Sequence, residues 1–447
     1  MVRAAIRNPD SAAHDVRQQE IRASRRAPPI VSSSTDSLGV NPVPWRADAA
    51  LVALIAVAHM ISHFFQLLLA PLFPWLKAEF GWSYAQLGFI LSVLFAVSGV
   101  GQAAAGFMVD RCGPRTTLVS GLACLASGAL LFAVSHNYAG FLLGAVFAGL
   151  GNCVFHPVDF WFINHRVSVP RLGPAYSAHG LSGSLGWACA PLFLVGLAVP
   201  FGWRVAVLAA ALLPLATMLL VWLYRGVLDA PARATVVTVR ELPDSSESMF
   251  AFLRLPTIWL CFGFFFFVAA ALGGVQSFAP TIFTTAYGLD RHDAAMSITV
   301  YMLASACGML AGGWLVSRSR VLERNITIAL ALSVLAALGV ALQLLPGIYA
   351  MVFMVVMGFG SGLSGPSRDM LIRGAAPPGA TGRVYGVVYS GLDAGIAAGP
   401  VVFGKMLDHG FAVEVFYGVA LCLFGGVVIA WQVARMTGRQ MAAARAA

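Results

Sequence analysis

Apolar residues run along this chain in blocks of about 20 or more, enough at 1.5 Å rise per residue to cross a hydrocarbon layer of about 30 Å. In lipid the backbone must satisfy its own hydrogen bonds, and blocks this long do so as helices rather than as barrel strands. Twelve spans are predicted, near Leu51–Leu76, Ser83–Met108, Thr116–Val134, Tyr138–Asn164, Leu172–Leu197, Arg204–Tyr224, Pro256–Thr285, Asp293–Val316, Ile326–Leu345, Ile348–Ile372, Val384–Leu407 and Val413–Ala434. The expected fold class is an all-α polytopic membrane protein.

The polar stretches organise these spans. Residues 225–255 carry Arg225, Arg233, Arg240, Arg254, Asp229, Glu241, Asp244 and Glu247, and read as a linker between two six-helix bundles, 48–224 and 256–435. Residues 1–47 and 436–447 read as tails. The first is polar, rich in Arg, Ala and Ser, and lacks the apolar core of a signal peptide, so a disordered cytoplasmic tail is expected. Asp10, Asp15 and Glu20 speak against a transit peptide, and a start codon assigned too far upstream explains the segment equally. With both termini in the cytoplasm, all of the 28 Lys and Arg except Lys77, Arg204, Arg291 and Lys405 fall on the cytoplasmic side. That asymmetry predicts the orientation of a bacterial cytoplasmic (inner) membrane protein.

Composition narrows the function. The chain is 59% hydrophobic and 11% charged, with a mean hydropathy of +0.81, whereas a soluble domain is about 25% charged. The net charge of +9 would suit nucleic acid only if the basic residues formed a groove, and they sit in alternate loops instead. Seven cysteines are scattered without Cys-x-x-Cys or ligand spacing, so neither a disulfide framework nor a metal site is implied. No phosphate-binding Gly-x-x-x-x-Gly-Lys-Ser/Thr occurs, and no nucleophile or metal constellation marks an enzyme. The expected partners are the lipid bilayer and a small-molecule substrate, with no cofactor; the expected unit is a monomer.

An internal repeat supports the two-bundle plan. An offset of 209 residues places Gly149 on Gly358, Gly151 on Gly360, Pro157 on Pro366, Gly173 on Gly382, Tyr176 on Tyr385, Gly186 on Gly395 and Pro191 on Pro400. An offset of 207 brings Gly106–Arg111 onto Gly313–Arg318 and Gly81 onto Gly288. Parallel halves related by an axis along the membrane normal are a known transporter plan, with the solute site near midplane between them. Ser182, Gly186 and Ala190, and in the second half Gly391, Gly395 and Gly399, form small-residue faces for close helix packing.

The segment Gly106-Phe-Met-Val-Asp-Arg-Cys-Gly-Pro-Arg115 resembles the loop signature of the major facilitator superfamily, and the resemblance covers about residues 48–435. It implies the twelve-helix facilitator fold. It also implies a conformational latch at Gly106, Asp110, Arg111, Gly113 and Arg115 that holds the halves together when the cytoplasmic side is closed. Ser317 replaces the acid in the second half, which makes the latch asymmetric. Phe155-His-Pro157, Ser177-Ala-His-Gly180 and His63-Phe-Phe-Gln66 with Pro74 are similar to bacterial fosmidomycin-resistance-like members. Gly140 and Phe141 stand where proton-coupled drug exporters often carry an Arg. The exporter signature of the fifth helix survives only as Gly183-Ser-Leu-Gly186 with Pro191. The oxalate/formate and monocarboxylate branches share the Gly-Pro-Arg ending, but the buried charges expected of them in spans 7 and 8 are missing.

Ionisable side chains are costly in a bilayer and usually face a cavity or a partner. They lie in spans 1, 4, 5, 10 and 11, and are absent from the interiors of spans 3, 6, 9 and 12. His59, His63 and Gln66 share one stripe of the first span, suited to contact with a solute or to carrying protons, and equally to a satisfied interhelical hydrogen bond. Asp393 is turned away from the glycine face of span 11, with Tyr389 on its side, as a proton site, a cation contact or a structural ion pair. His156 with Pro157, and Gly365 with Pro366, are expected to mark equivalent helix breaks. Asp159, Arg368 and Asp369 lie near the cytoplasmic ends of spans 4 and 10, as an inner gate or as snorkelling charges, and Arg368 would also suit an anionic solute. His179 reads as packing.

The site expected is thus a substrate and proton cavity of His59, His63, Gln66, His156, Arg368, Tyr389 and Asp393. The function expected is secondary active transport of a small solute by alternating access, proton-coupled and most simply of an organic anion. Efflux of an antibiotic or other xenobiotic by proton antiport is the alternative.

Overall fold

A computed structural model describes residues 45–168, 171–229, 254–316, 318, 321–375 and 381–446. The N-terminal tail, most of the linker and the replaced latch position Ser317 lie outside them. The helices are α1 (Trp45–Gln66), α2 (Phe73–Phe80), α3 (Tyr84–Cys112), α4 (Pro114–Val134), α5 (Tyr138–Asn152), α6 (Phe155–Arg166), α7 (Leu172–Phe201), α8 (Trp203–Leu223), α9 (Arg225–Asp229), α10 (Pro256–Thr285), α11 (Arg291–Val316), α12 (Leu322–Ala341), α13 (Met351–Ala375), α14 (Thr381–Asp408) and α15 (Val415–Ala446). Among the described residues, eleven stretches are long and apolar enough to cross a membrane, α1–α2 and α5–α6 each counting as one. The twelfth expected span corresponds to α14.

Turn chemistry sets the helix ends. Ser83 opens α3 with a reciprocal capping box to Gln86, and Asn137 caps α5 through the Gly140 N–H. Gly113 (φ +82°) followed by Pro114 makes the tight turn between α3 and α4, a backbone conformation open to glycine and a proline placed where no N–H is needed. The first span is interrupted at Leu67–Leu69 by a short 3-10 turn, Ala70–Leu72, because Pro71 and Pro74 cannot donate to the preceding turn.

The fourth span breaks at Cys153–Val154. Pro157 has no N–H for the Cys153 carbonyl, and α6 restarts at Phe155. The equivalent break expected in the tenth span does not form: Pro366 lies inside the continuous helix α13. There Gly358 and Gly362 lie on the α11 backbone at the carbonyls of Tyr301 and Ser305; in the first half Gly149 lies likewise on the Leu94 carbonyl of α3, but Cys153 stands in the place of Gly362.

The repeat expected from the sequence appears in the packing. Pairs α1–α7, α3–α5, α4–α5 and α4–α8 in the first half correspond to α10–α14, α11–α13, α12–α13 and α12–α15 in the second. The halves meet along two seams, α3–α14 and α7–α11, which the repeat interchanges. Gly391, Gly395 and Gly399 lie on the Phe262, Phe266 and Ala270 carbonyls of α10, while Gly186 lies on α1 at the Met60 carbonyl. A side chain at these positions would hold the helices apart.

Polar contacts between the halves gather on the face away from the linker. Asp408 accepts from the Tyr84 and Ala85 N–H groups, Thr299 Oγ1 donates to the Ala188 carbonyl at 2.9 Å, and Arg291 lies over the Trp75 ring. Ser92 Oγ donates to the Ala397 carbonyl one level deeper.

Candidate functional site

The break in the fourth span creates the polar centre of the first half. It puts His156 in the first turn of α6 and Asp159 one turn later, facing α1 and α7. Asp159 is 0% exposed. Its Oδ2 accepts a hydrogen bond from His179 Nε2 at 3.1 Å and lies 3.1 Å from His59 Nδ1, out of line for a hydrogen bond. The rings of His59 and His179 stack at 3.6 Å, and His156 sits 5.2 Å and 5.8 Å from them. His63, one turn along α1, lies 4.4 Å from His59 and 4.2 Å from the Trp187 indole. Gly183 makes room for these rings: a Cβ there would come within 2.8 Å of His63 and 3.1 Å of His59 Nε2. Both nitrogens of His63, His156 Nδ1 and Asp159 Oδ1 are buried without a hydrogen-bond partner among the described residues.

Gln66 shares the stripe with these histidines but its amide is used within the protein. Its Nε2 donates to Asn152 Oδ1 (3.1 Å), its Oε1 accepts from Trp187 Nε1 (3.0 Å), and Asn152 Nδ2 donates to Ser98 Oγ (2.8 Å). This buried chain ties α1, α3, α5 and α7 together below the histidines. Full pairing matters because an unsatisfied buried polar group costs about 1–3 kcal/mol.

In the second half the polar groups face the seam. Asp393 is half-buried against Gly99 of α3, where a Cβ would meet its carboxylate at 3.2 Å. The glycines of α14 face α10 and the acid does not; its neighbour is the backbone of the other half. Arg368 is half-buried, with its guanidinium 4.6 Å from the Phe265 ring of α10. The side chains of Tyr389 and Asp369 lie outside the described residues. The inner gate expected of Asp159 and Arg368 does not appear as an ion pair between them among the described residues: Asp159 is enclosed by histidines of its own half, not near water at a helix end.

Asp110 and Arg111 are exposed, Gly106 has open space around it, and Arg115 pairs with Asp229 of α9 in the same half. A groove of about 650 Å³ runs between Arg115, Val119, Met218, Trp222 and Arg225.

Sequence reasoning missed His179, Asn152, Ser98 and Trp187 as members of the polar centre. A signal for His179 existed: it lies one turn before Gly183 on the face that also carries Ser182 and Gly186, and two further histidines stand at similar depth in spans 1 and 4. The expectation of no metal-ligand set rested on local spacing, whereas here three imidazoles converge from three helices.

Comparison with known proteins agrees with this architecture. The family model described as Major Facilitator Superfamily matches residues 55–400. The fosmidomycin resistance protein of Escherichia coli is 23% identical over 394 residues, spanning 85% of this chain and 91% of its own. A glycerol-3-phosphate transporter of Bacillus subtilis is 26% identical over 277 residues, 55% of this chain and 59% of its own. Among solved structures, a bacterial homologue of the human lysosomal transporter Spinster, inward-facing and unoccupied, superposes with a TM-score of 0.70 at 16% identity, covering 89% of this chain and 97% of that one. The nucleoside transporter NupG, in a mutant form, superposes at 0.67 and 14% identity, covering 86% and 99%. This chain therefore belongs to the Major Facilitator Superfamily and is a multi-pass membrane transporter, not an enzyme.

Proposed function

We propose that this protein is a monomeric, proton-coupled secondary transporter of a small organic anion, working by alternating access in a bacterial inner membrane with both termini in the cytoplasm. The observation that carries the coupling is Asp393, an acid on a helix that packs across the seam between the halves, with no hydrogen-bond partner among the described residues. Intramembrane acids at a moving interface are costly unless they exchange a proton or a partner as the interface opens. Rocking of α14 against α3 changes the surroundings of Asp393, which is the condition for linking its protonation to the cycle.

Arg368 supplies the attraction for the anion, from a half-buried position on α13 beside α10. His63 supplies a hydrogen-bonding imidazole from the first half. Among the described residues, the polar contacts between the halves named above lie on the face away from the linker; with the linker cytoplasmic, this supports reading the arrangement as inward-facing. Two relatives support an anionic solute by their names, glycerol-3-phosphate transporter and probable L-galactonate transporter, both solutes being anions at neutral pH.

Proton-driven efflux of a xenobiotic is the second reading, favoured by the fosmidomycin resistance protein, whose similarity spans nearly the whole chain. Thermal-shift screening of the purified protein against carboxylates, phosphate esters, phosphonates and antibiotics at two pH values selects solutes, and proteoliposome counterflow tests them. Saturable counterflow of a carboxylate or phosphate ester, accelerated by an imposed pH gradient, is expected. Counterflow confined to antibiotics would favour the second reading, and no counterflow of any screened solute would overturn both.

A further inference from the structure

We infer that His59, His156 and His179 form a binding site for a transition-metal dication of the zinc class, with Asp159 orienting the imidazoles. One nitrogen of each histidine lies within 4.8 Å of the other two. A point central to three such atoms is within about 2.8 Å of each, and zinc binds imidazole nitrogen at about 2.0–2.1 Å, so shifts under about 1 Å per side chain complete the coordination. The rings come from α1, α6 and α7, all within one half, so the site takes no group from the other half.

Three further features point to a cation. Asp159 is a fully buried carboxylate whose polar partners are two histidines, and no Arg or Lys pairs with it among the described residues. A carboxylate behind metal-bound imidazoles is the common outer-shell arrangement, fixing ring orientation and offsetting the charge of the ion. His156 Nδ1 is buried and unpartnered, as are both nitrogens of the adjacent His63. Such groups are expensive to leave without a partner in an apolar interior, and an ion held by His156 would give that residue one. His156 itself is half-buried and stacks beside the exposed Phe160, so this edge of the cluster is not sealed.

The donor set selects the ion. Imidazole suits Zn²⁺, Cu²⁺, Ni²⁺ and Co²⁺, whereas Mg²⁺ and Ca²⁺ require oxygen ligands that this site does not assemble. Three protein nitrogens leave a fourth position open, as in sites where zinc also takes a water or an anion.

The experiment is equilibrium dialysis of the tag-free, full-length protein in detergent against Zn²⁺, with Co²⁺ visible spectroscopy as a second readout. One saturable Zn²⁺ per chain is expected, together with the intense ligand-field bands of four-coordinate Co²⁺. His156→Ala removes a ligand without breaking a hydrogen bond of the fold, and should weaken Zn²⁺ binding at least 100-fold. Asp159→Asn should weaken it by about 10–100-fold through lost orientation. The exposed set Asp290, His292 and Asp293 is the competing site, so His292→Ala should leave binding unchanged. Absence of saturable binding, weak six-coordinate Co²⁺ bands, or loss of binding in His292→Ala with retention in His156→Ala would each overturn the inference.

Discussion

Asp408, the last residue of α14, caps the first turn of α3 across the boundary between the halves: its Oδ1 accepts from the Tyr84 N–H at 2.6 Å and its Oδ2 from the Ala85 N–H at 2.8 Å. The capping box of Ser83 already takes the Gln86 N–H, and the Leu87 N–H reaches the Ser83 carbonyl. Asp408 thus satisfies the two helix-start donors that the local sequence leaves over, and its charge sits at the positive end of the helix dipole. Lys77, 3.9 Å from the same carboxylate, adds a solvent-exposed contact of small weight. Opening of this face must break the cap. Asp408→Ala should shift the equilibrium toward opening by about 0.5–2 kcal/mol, the usual range for a helix cap, which is roughly a 2- to 30-fold change in population. Hydrogen exchange at the Tyr84 and Ala85 amides is the measurement, and unchanged exchange would show that the cap does not hold this face.

The glycine faces predict a graded stability series. A Cβ at Gly395 would lie 2.9 Å from the Ala269 Cβ and 2.9 Å from the Ala270 nitrogen, both fixed parts of α10. Gly395→Ala should cost about 1–3 kcal/mol by overpacking and lower the melting temperature in detergent. Gly196 has nothing within 4 Å of the same construction, so Gly196→Ala should be neutral or slightly stabilising.

Asp393→Asn keeps the shape of the side chain and removes its proton chemistry. Uptake driven by a pH gradient should lose that dependence, while solute counterflow without a gradient persists. Gradient-driven uptake at the wild-type rate would remove Asp393 from the coupling. Gly99→Ala, which presses within 3.1–3.2 Å of the same carboxylate, should slow the cycle without abolishing coupling.

Asp159 and Arg368 occupy equivalent places in the repeat, yet Asp159 is held by His59 and His179. The double reversal Asp159→Arg with Arg368→Asp should therefore stay as inactive in counterflow as either single reversal. Recovery in the double variant would mean that the two charges meet in another conformation.

Gln66→Ala leaves the Asn152 carbonyl oxygen and the Trp187 N–H without their partner in a buried site. A loss of about 1–3 kcal/mol in stability is expected, read as a lowered melting temperature. Retained stability with abolished solute binding would instead make Gln66 a solute contact.

Much of the architecture was legible from the chain because it is written in one dimension. Block length and hydropathy mark the spans, the offset of 209 residues pairs the halves, and Gly113-Pro114 announces its turn wherever the loop lies. The glycine face of α14 was likewise readable, since rotation about a single helix follows from residue spacing alone. The span that became α14 was itself readable as an apolar block between turn and charge signals.

The relative phase of different helices is not contained in any one of them, and it decided the rest. His179 looked like packing until α7 set it against α1 and Asp159. Gln66 looked like part of a cavity until Asn152 and Trp187 claimed both ends of its amide. Pro157 and Pro366 are equivalent in sequence, but only the first breaks its helix; Cys153 stands there where Gly362 packs on the Ser305 carbonyl in the second half. Asp408 and Tyr84 stand 324 residues apart, and no local pattern joins them. The sequence by itself determined how many helices cross the membrane and how they repeat, since burial in lipid acts on each span separately. Only the tertiary structure decided which polar groups meet, since a buried charge or imidazole takes the partner that packing brings within about 3 Å.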